Sequence, residues 1–290
     1  MRQAGRSGKK LGFIGAGNMA RALIQGVLEA ELYRPSEIWV ADTVAEQRRR
    51  ILRRYGVGSA GANQDLVRGS KIVVLAVKPQ VLPSVLEESR VAATRRQLFV
   101  SIAAGVPLRR VEAALGAGLR VVRAMPNTPA LLGKGMSVLA RGTNATDRDL
   151  QRALRIFRSV GDAMAVEEEA LLDPVTGLSG SGPAYVYRFA EALIEAGVRQ
   201  GLEARVASRL VFRTLEGASA MLLHAGMGPR ELREMVSSPG GTTLAGLAAL
   251  ESSGFAAAVD CAVAAATFRS RELGGGRTGR PIRCSCSRTS

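Results

Sequence analysis

Three small residues at fixed spacing, Gly15, Gly17 and Ala20 in LGFIGAGNMA (Leu11–Ala20), are the part of this chain best suited to chemistry. The pattern G-x-G-x-x-A lets the backbone turn tightly at the first position, approach a pyrophosphate at the second, and pack a helix closely on a strand at the third. The free N–H groups of the helix's first turn then face the phosphates with the positive end of its dipole. Leu11, Phe13 and Ile14 form the apolar run of a strand, and Met19, Ala22, Leu23, Val27 and Leu28 recur on one helical face. A plain strand-to-helix turn uses glycine too. A second apolar strand, Ile38-Trp39-Val40-Ala41, argues for a dinucleotide: it ends in Asp42, 22 residues beyond Ala20, near the spacing of roughly 20 for a ribose-binding acid.

The elements that must position these residues alternate strand with helix. A helix over about Val44–Tyr55 carries Arg48-Arg49-Arg50, and a short extended piece, Val57–Ala60, leads to Gly61-Ala62-Asn63. Lys71–Val77, KIVVLAV, is apolar without alternation, as in a parallel strand covered on both faces, and stops at Lys78-Pro79. A helix over Val81–Glu88, a strand over Leu98–Ala103 and a helix over Pro107–Leu115 follow. The strand Leu119–Ala124 runs into Met125-Pro126-Asn127-Thr128-Pro129, where two prolines are expected to end it and expose Asn127 and Thr128. Met136–Ala140, a helix over Asp147–Phe157 and a strand over Ala163–Val166 complete a doubly wound α/β unit, residues 11–166. Its ligand belongs at the carboxyl ends of the strands, where LAVKP, IAAG and MPNTP fall.

Past Glu167 the strand signals stop. Helices are expected at Pro183–Gln200, Ala204–Ala225, Pro229–Val236, Thr242–Ser253 and Phe255–Leu273, making residues 167–273 a second, all-helical domain. Ala, Leu and Val lie on more than one face of these helices, as in Ala256–Ala266, which points to burial against a second subunit. Residues 1–10 form a basic leader, and Gly274–Ser290 is a Gly/Arg/Ser-rich tail expected to be disordered.

Composition narrows the function further. The chain has 290 residues, 47% hydrophobic and 22% charged, as for a globular protein of two domains. The net charge of +15 suggests nucleic acid, but eight of the cations lie in the leader and tail, and aromatics at 4% leave no stacking platform. Neither nucleic acid nor membrane is an expected partner. Cys261, Cys284 and Cys286 cannot form a disulfide framework, and the last two have no further ligand nearby for a metal. A reducing, cytoplasmic setting is expected. His224, the one histidine, reads as a helix-surface residue.

Two further segments are rich in glycine where helix propensity disfavours it: LSGSGPAY (Leu178–Tyr185) and MVSSPGGTTLAG (Met235–Gly246). The stretch Ser238–Thr243 offers hydroxyls and uncrowded N–H groups at a helix start, which suits an anion. Together with AVKP, PNTP and the glycine fingerprint, these segments make the chain resemble the pyrroline-5-carboxylate reductases from about Leu11 to Leu273, with SSPGGTT the most specific motif. The tail does not resemble the family's usual short ending.

The resemblance implies a Rossmann-type domain followed by a helical dimerisation domain, and reduction of L-1-pyrroline-5-carboxylate to L-proline by NADPH or NADH in a homodimer or larger homo-oligomer. A protonated imine carbon is already electrophilic, so holding it against the nicotinamide and excluding water is most of the task. By the same resemblance the carboxylate is held by Ser238, Gly240, Gly241, Thr242 and Thr243, and Thr243 is the catalytic candidate, its hydroxyl near the ring nitrogen. The cofactor-binding candidates are Ile14, Gly15, Ala16, Gly17, Asn18 and Met19 for the pyrophosphate, Asp42 and Asn63 for the adenosine ribose, and Ala76, Val77, Lys78, Pro79, Ala104, Asn127 and Thr128 nearer the nicotinamide. Lys78 also reads as a strand-end surface lysine. Asp42 favours NADH, whereas Arg48–Arg50 could accept the 2′-phosphate of NADPH. Another Rossmann-type dehydrogenase with a helical domain, acting on a 3-hydroxy acid or a different imine, would be expected to carry a lysine on the first long helix of the second domain, but Pro183–Gln200 has only Arg188 and Arg199. A non-catalytic nucleotide sensor is the remaining alternative.

Overall fold

The computed structural model describes residues 10–275. The basic leader up to Lys9, the tail from residue 276, and Cys284 and Cys286 lie outside the described residues. The described residues fall into two compact units, 10–181 with 265–275 and 182–264.

The first unit begins β1 (Leu11–Ile14), α1 (Asn18–Glu29), β2 (Ile38–Ala41), α2 (Ala45–Tyr55), β3 (Gly58–Ser59) and α3 (Asn63–Gly69). It continues β4 (Ile72–Leu75), α4 (Leu82–Arg90), β5 (Leu98–Ser101), α5 (Leu108–Leu115) and β6 (Arg120–Pro126). Then come β7 (Gly135–Arg141), α6 (Asp147–Arg158), β8 (Gly161–Val166) and the short α7 (Leu172–Val175), followed by a π-helical turn, Thr176–Gly180. The strands form one sheet in the order β3-β2-β1-β4-β5-β6-β7-β8. The first six run parallel, so the order reverses between β1 and β4, which leaves a crevice at the carboxyl ends of that pair.

The apolar run Ile72–Leu75 is fully covered on both faces, and β1 and β5 are buried throughout. Phe13, Leu23, Ile24 and Phe157 fill the layer on one side of the sheet and Leu66, Leu75, Leu82 and Phe99 the other. With apolar burial contributing ~25 cal/mol per Å², these two layers carry the unit's stability.

Three local expectations are corrected. Pro126 does not end its strand: β6 runs through it, paired antiparallel with β7 at Pro126↔Ser137. The parallel partner β5 stops at Ser101, opposite Arg123, so on that side Pro126 faces no ladder that needs its missing N–H. No helix is expected between Ala60 and Lys71, yet Asn63 opens α3, whose seven residues are too short for a clear period. Gly274 and Gly275, placed in the tail by sequence, close a helix instead: the Gly274 N–H donates to Ser270 O at 3.1 Å, and Gly275 has φ +71°. The antiparallel direction of β7 follows from its connection: residues 127–134 are too few for a crossover back to a parallel start.

A polar cluster around the buried Arg123 closes the first unit. Arg123 donates to Glu169 Oε1 at 2.8 Å and lies 3.9 Å from Asp173, whose Oδ1 accepts from Ser270 Oγ at 2.7 Å.

The second unit contains α8 (Gly182–Arg199), α9 (Ala204–His224), α10 (Pro229–Met235), α11 (Thr242–Ser252) and the first part of α12 (Phe255–Leu273), which passes into the first unit at residue 265. The α8–α9 turn is held where a Cβ on Gly197 would sit 3.3 Å from Ala207 Cβ. The rings of Phe189 and Phe255 meet at a tilt of 49°, their centroids 6.1 Å apart. His224 is exposed at the end of α9, as expected. Among the described residues no single helix is long and apolar enough to cross a membrane; α11 and α12 pass that test only as a pair, bent by 52° at the break.

Candidate active site

At the β1–β4 reversal, a crevice of about 310 Å³ brings together Ile14, Gly15, Ala16, Gly17, Asp42, Asn63, Ala76, Val77 and Lys78. Gly15 and Gly17 are glycines for different reasons. Gly15 has φ +101°, and a Cβ there would lie 2.4 Å from the Ala76 carbonyl oxygen, so backbone conformation and the close pass of β4 both require glycine. Gly17 has an ordinary φ of −70°, and its Cβ would meet nothing within 4 Å. Neither strain nor packing asks for glycine at 17; open space beside the start of α1 fits the close approach of a pyrophosphate.

Asp42 faces this turn from the end of β2. Its Oδ2 accepts from the Ala16 N–H at 2.6 Å and its Oδ1 from the Val44 N–H at 2.7 Å. Arg48 donates to the Asp42 carbonyl at 2.7 Å, which ties one arginine of the run to the crevice, while Arg49 and Arg50 are exposed and do not line it. The Asn63 amide donates to Glu88 at 2.6 Å. Lys78 is exposed and lines the crevice.

The remaining cofactor-side candidates lie elsewhere in the first unit. Asn18 and Met19 open α1 without lining the crevice, and Pro79 lines a neighbouring apolar recess. Ala104 sits half-buried in the turn after β5. Asn127 brackets three segments: its Nδ2 donates to Ser179 O at 3.2 Å and its Oδ1 accepts from the Met136 N–H at 2.9 Å, while Thr128 beside it is exposed. Gln47, Val44, Val81 and Val85 also line the crevice, which sequence reasoning missed. Val44 and Val81 are the N-caps of α2 and α4, with Gln47 and Val85 in or just past the first turn, and their approach to the crevice follows only from where those helices dock.

In the second unit, Ser238–Gly241 forms a tight turn in which the Gly241 N–H donates to Ser238 O at 3.0 Å. Pro239 and Gly240, the latter at φ +71°, occupy its centre, the type II pattern. A Cβ on Gly241 would lie 2.5 Å from Ser238 Oγ. Gly241 is the N-cap of α11 and no side chain caps it, so Thr242 and Thr243, the first two helical residues, keep their hydroxyls free of that duty. By position the N–H groups of Thr242, Thr243 and Leu244 have no helical acceptor. Thr243 is half-buried; Ser238, Gly240 and Thr242 are more open. Such a set of free donors suits an oxyanion.

The sheet order, the glycine crevice and Asp42 define a Rossmann-type dinucleotide-binding oxidoreductase followed by a helical domain. Residues 10–105 match the model described as NADP oxidoreductase coenzyme F420-dependent, and residues 169–273 match pyrroline-5-carboxylate reductase dimerisation. The pyrroline-5-carboxylate reductase of Methanosarcina acetivorans is 45% identical over 266 residues, 92% of this chain and 98% of that protein. The enzyme of that name from Escherichia coli is 37% identical, covering 91% and 98%. Among solved structures, a pyrroline-5-carboxylate reductase from Coxiella burnetii superposes with a TM-score of 0.85 at 35% identity, over 92% of this chain and 99% of that one. Plasmodium falciparum pyrroline carboxylate reductase with NADP bound gives 0.82 at 33%, over 91% and 98%. The chain belongs to the pyrroline-5-carboxylate reductase family.

Proposed function

We propose that this chain reduces L-1-pyrroline-5-carboxylate to L-proline with NADPH or NADH, the last step of proline biosynthesis. The observation that carries this reading is a glycine crevice at the sheet's reversal and an SSPGGTT donor nest in one chain that aligns over nearly its whole length with relatives of that name. Gly15, Ala16 and Gly17, with Asn18 and Met19 beside them, hold the pyrophosphate, and Asp42 and Asn63 the adenosine ribose. Ala76, Val77, Lys78, Pro79, Ala104, Asn127 and Thr128 serve the nicotinamide side. The reduced nicotinamide, when bound, supplies the hydride to the imine carbon.

The rest falls to the chain. Ser238, Gly240, Gly241, Thr242 and Thr243 orient the substrate carboxylate through hydroxyls and backbone N–H groups. The Thr243 hydroxyl hydrogen-bonds to the ring nitrogen, which takes up a proton overall as the C=N bond becomes an amine. No strong acid or base is required, which suits a chain with one histidine, exposed at the end of α9. The helical second unit assembles the protein as a homodimer or larger homo-oligomer, and the sparse cysteines suit the cytoplasm.

Loss of NAD(P)H absorbance on adding pyrroline-5-carboxylate tests the reading: turnover yielding proline is expected, and its absence with both cofactors overturns it. Run with each cofactor, the same assay tests Asp42. Use of both is expected, and an NADPH preference above about a hundredfold, roughly 2.7 kcal/mol, removes the role given to that carboxylate.

A further inference from the structure

The first unit has a second concave surface, at the end of the sheet opposite the crevice. Where the chain enters β1, β4 and β5 and α6 passes alongside, a cleft of about 630 Å³ opens. Loops that feed neighbouring parallel strands converge there, and they bring cations with them. Lys10 precedes β1, Arg68 and Lys71 flank the turn into β4, Arg96 precedes β5, and Arg152 and Arg155 project from α6.

Their charges are only partly balanced. Lys10 pairs with Glu37 at 2.6 Å and Arg68 with Asp65 at 2.9 Å. Arg152 lies 3.5 Å from Asp149, which already holds Arg120 at 2.9 Å. Among the described residues Lys71, Arg96 and Arg155 have no carboxylate within 4.0 Å, and no acid lines the cleft. The floor is polar but self-satisfied: Ser70 Oγ donates to Leu66 O at 2.7 Å, and Gln97 Nε2 donates to Val67 O at 3.3 Å. Tyr33 adds a donor. Burial raises its pKa, against the opposing pull of Arg155 and Arg152, so the phenol stays protonated at neutral pH, and among the described residues its hydroxyl has no hydrogen-bond partner.

We propose that this cleft binds a small polyanion carrying two or more phosphate groups, at a site separate from the dinucleotide crevice. A concave wall bearing one sign of charge focuses the field and concentrates counter-ions. The four arginine forks match phosphate oxygens two at a time, and a single carboxylate would leave most of the cations unanswered. The volume lies within the ~300–1,000 Å³ of small-molecule sites.

Calorimetric titration of the full-length protein with inorganic tripolyphosphate, with NADPH held saturating, tests this without reference to turnover. One site per chain is expected. Lys71→Gln with Arg155→Gln should weaken it at least tenfold, and Arg96→Gln alone at least threefold, with NADPH affinity unchanged. Arg90→Gln with Arg109→Gln removes two exposed cations of the same unit that lie outside the cleft, and should leave binding within twofold. The proposal is overturned by absence of saturable binding, by equal weakening in this control, or by binding that appears only when NADPH is left out.

Discussion

The Thr243 hydroxyl can be assigned by what it does not do. It lies at the second position of α11, behind a glycine N-cap that no side chain caps, so removing it forfeits no capping bond. Thr243→Ala should therefore melt close to the parental protein while kcat/KM falls at least tenfold, about 1.4 kcal/mol, with NAD(P)H affinity unchanged. Thr243→Ser should recover much of the rate. If both variants keep near-parental kcat/KM, positioning and the cofactor carry the reaction without it. Gly17 makes a parallel case. Its added methyl would meet only open space, so Gly17→Ala should cost at most about 1 kcal/mol, the preference of an N-cap for glycine over alanine, while weakening the cofactor at least tenfold. Fluorescence titration with NADPH beside a thermal melt separates the two effects.

Helix α6 shows how one element ties its start to the sheet. Thr146 caps it, its hydroxyl accepting from the Asp149 N–H at 3.2 Å, while Asp149 Oδ2 accepts from the Thr146 backbone and hydroxyl at 3.1 and 2.8 Å. Arg120, from β6, donates to the other Asp149 oxygen at 2.9 Å. Burial alone would raise the Asp149 pKa; the hydrogen bonds from Thr146, then Arg120 and Arg152, outweigh it and hold the carboxyl below its ordinary value. A group whose folded pKa is depressed stabilises above its unfolded pKa, near 3.9, and loses that contribution as pH falls through the folded value. Stability measured by denaturant should thus drop as pH falls below about 4. Asp149→Asn should cost about 3 kcal/mol at pH 7, where it leaves Arg120 unpaired, and much less near pH 2. An unchanged gap between the two proteins at low pH would remove the charge from the explanation.

At the scale of the molecule, the two units differ in how much they bury. The first holds two apolar layers against its sheet, whereas in residues 182–264 only Ala190 and Ala207 are buried hydrophobics. Phe212, Leu223 and Val236 are 59%, 77% and 61% exposed, more apolar surface than a monomeric helical unit sustains. A second copy of the chain is the expected cover. Light scattering at micromolar concentration should give at least twice the 30.5 kDa chain mass, and the unfolding midpoint should rise with protein concentration. A monodisperse species at the chain mass would contradict both.

Periodicity and glycine spacing determined much by themselves, because they are local. The turn at Gly15, the strand ending at Asp42, the buried run Ile72–Leu75 and the span Phe255–Leu273 of the last helix are all legible in the chain. So are the crevice residues from Ile14 to Gly17 and from Ala76 to Lys78, since a parallel strand's carboxyl end is marked by where its apolar run stops. The structure decided what depends on neighbours. Pro126 stays in a strand because β5 has already ended beside it, and Asn63 starts a helix too short to declare itself. The buried Arg123 meets the half-buried Glu169 and Asp173, and Asp173 meets Ser270, residues that join only when distant segments pack. The six cations at the amino ends of the strands are scattered over some 145 residues of sequence, from Lys10 to Arg155, and no window of the chain shows them together. Sheet order makes Lys10, Arg68, Lys71 and Arg96 neighbours, because parallel strands bring their entry loops to one end, and the docking of α6 adds Arg152 and Arg155.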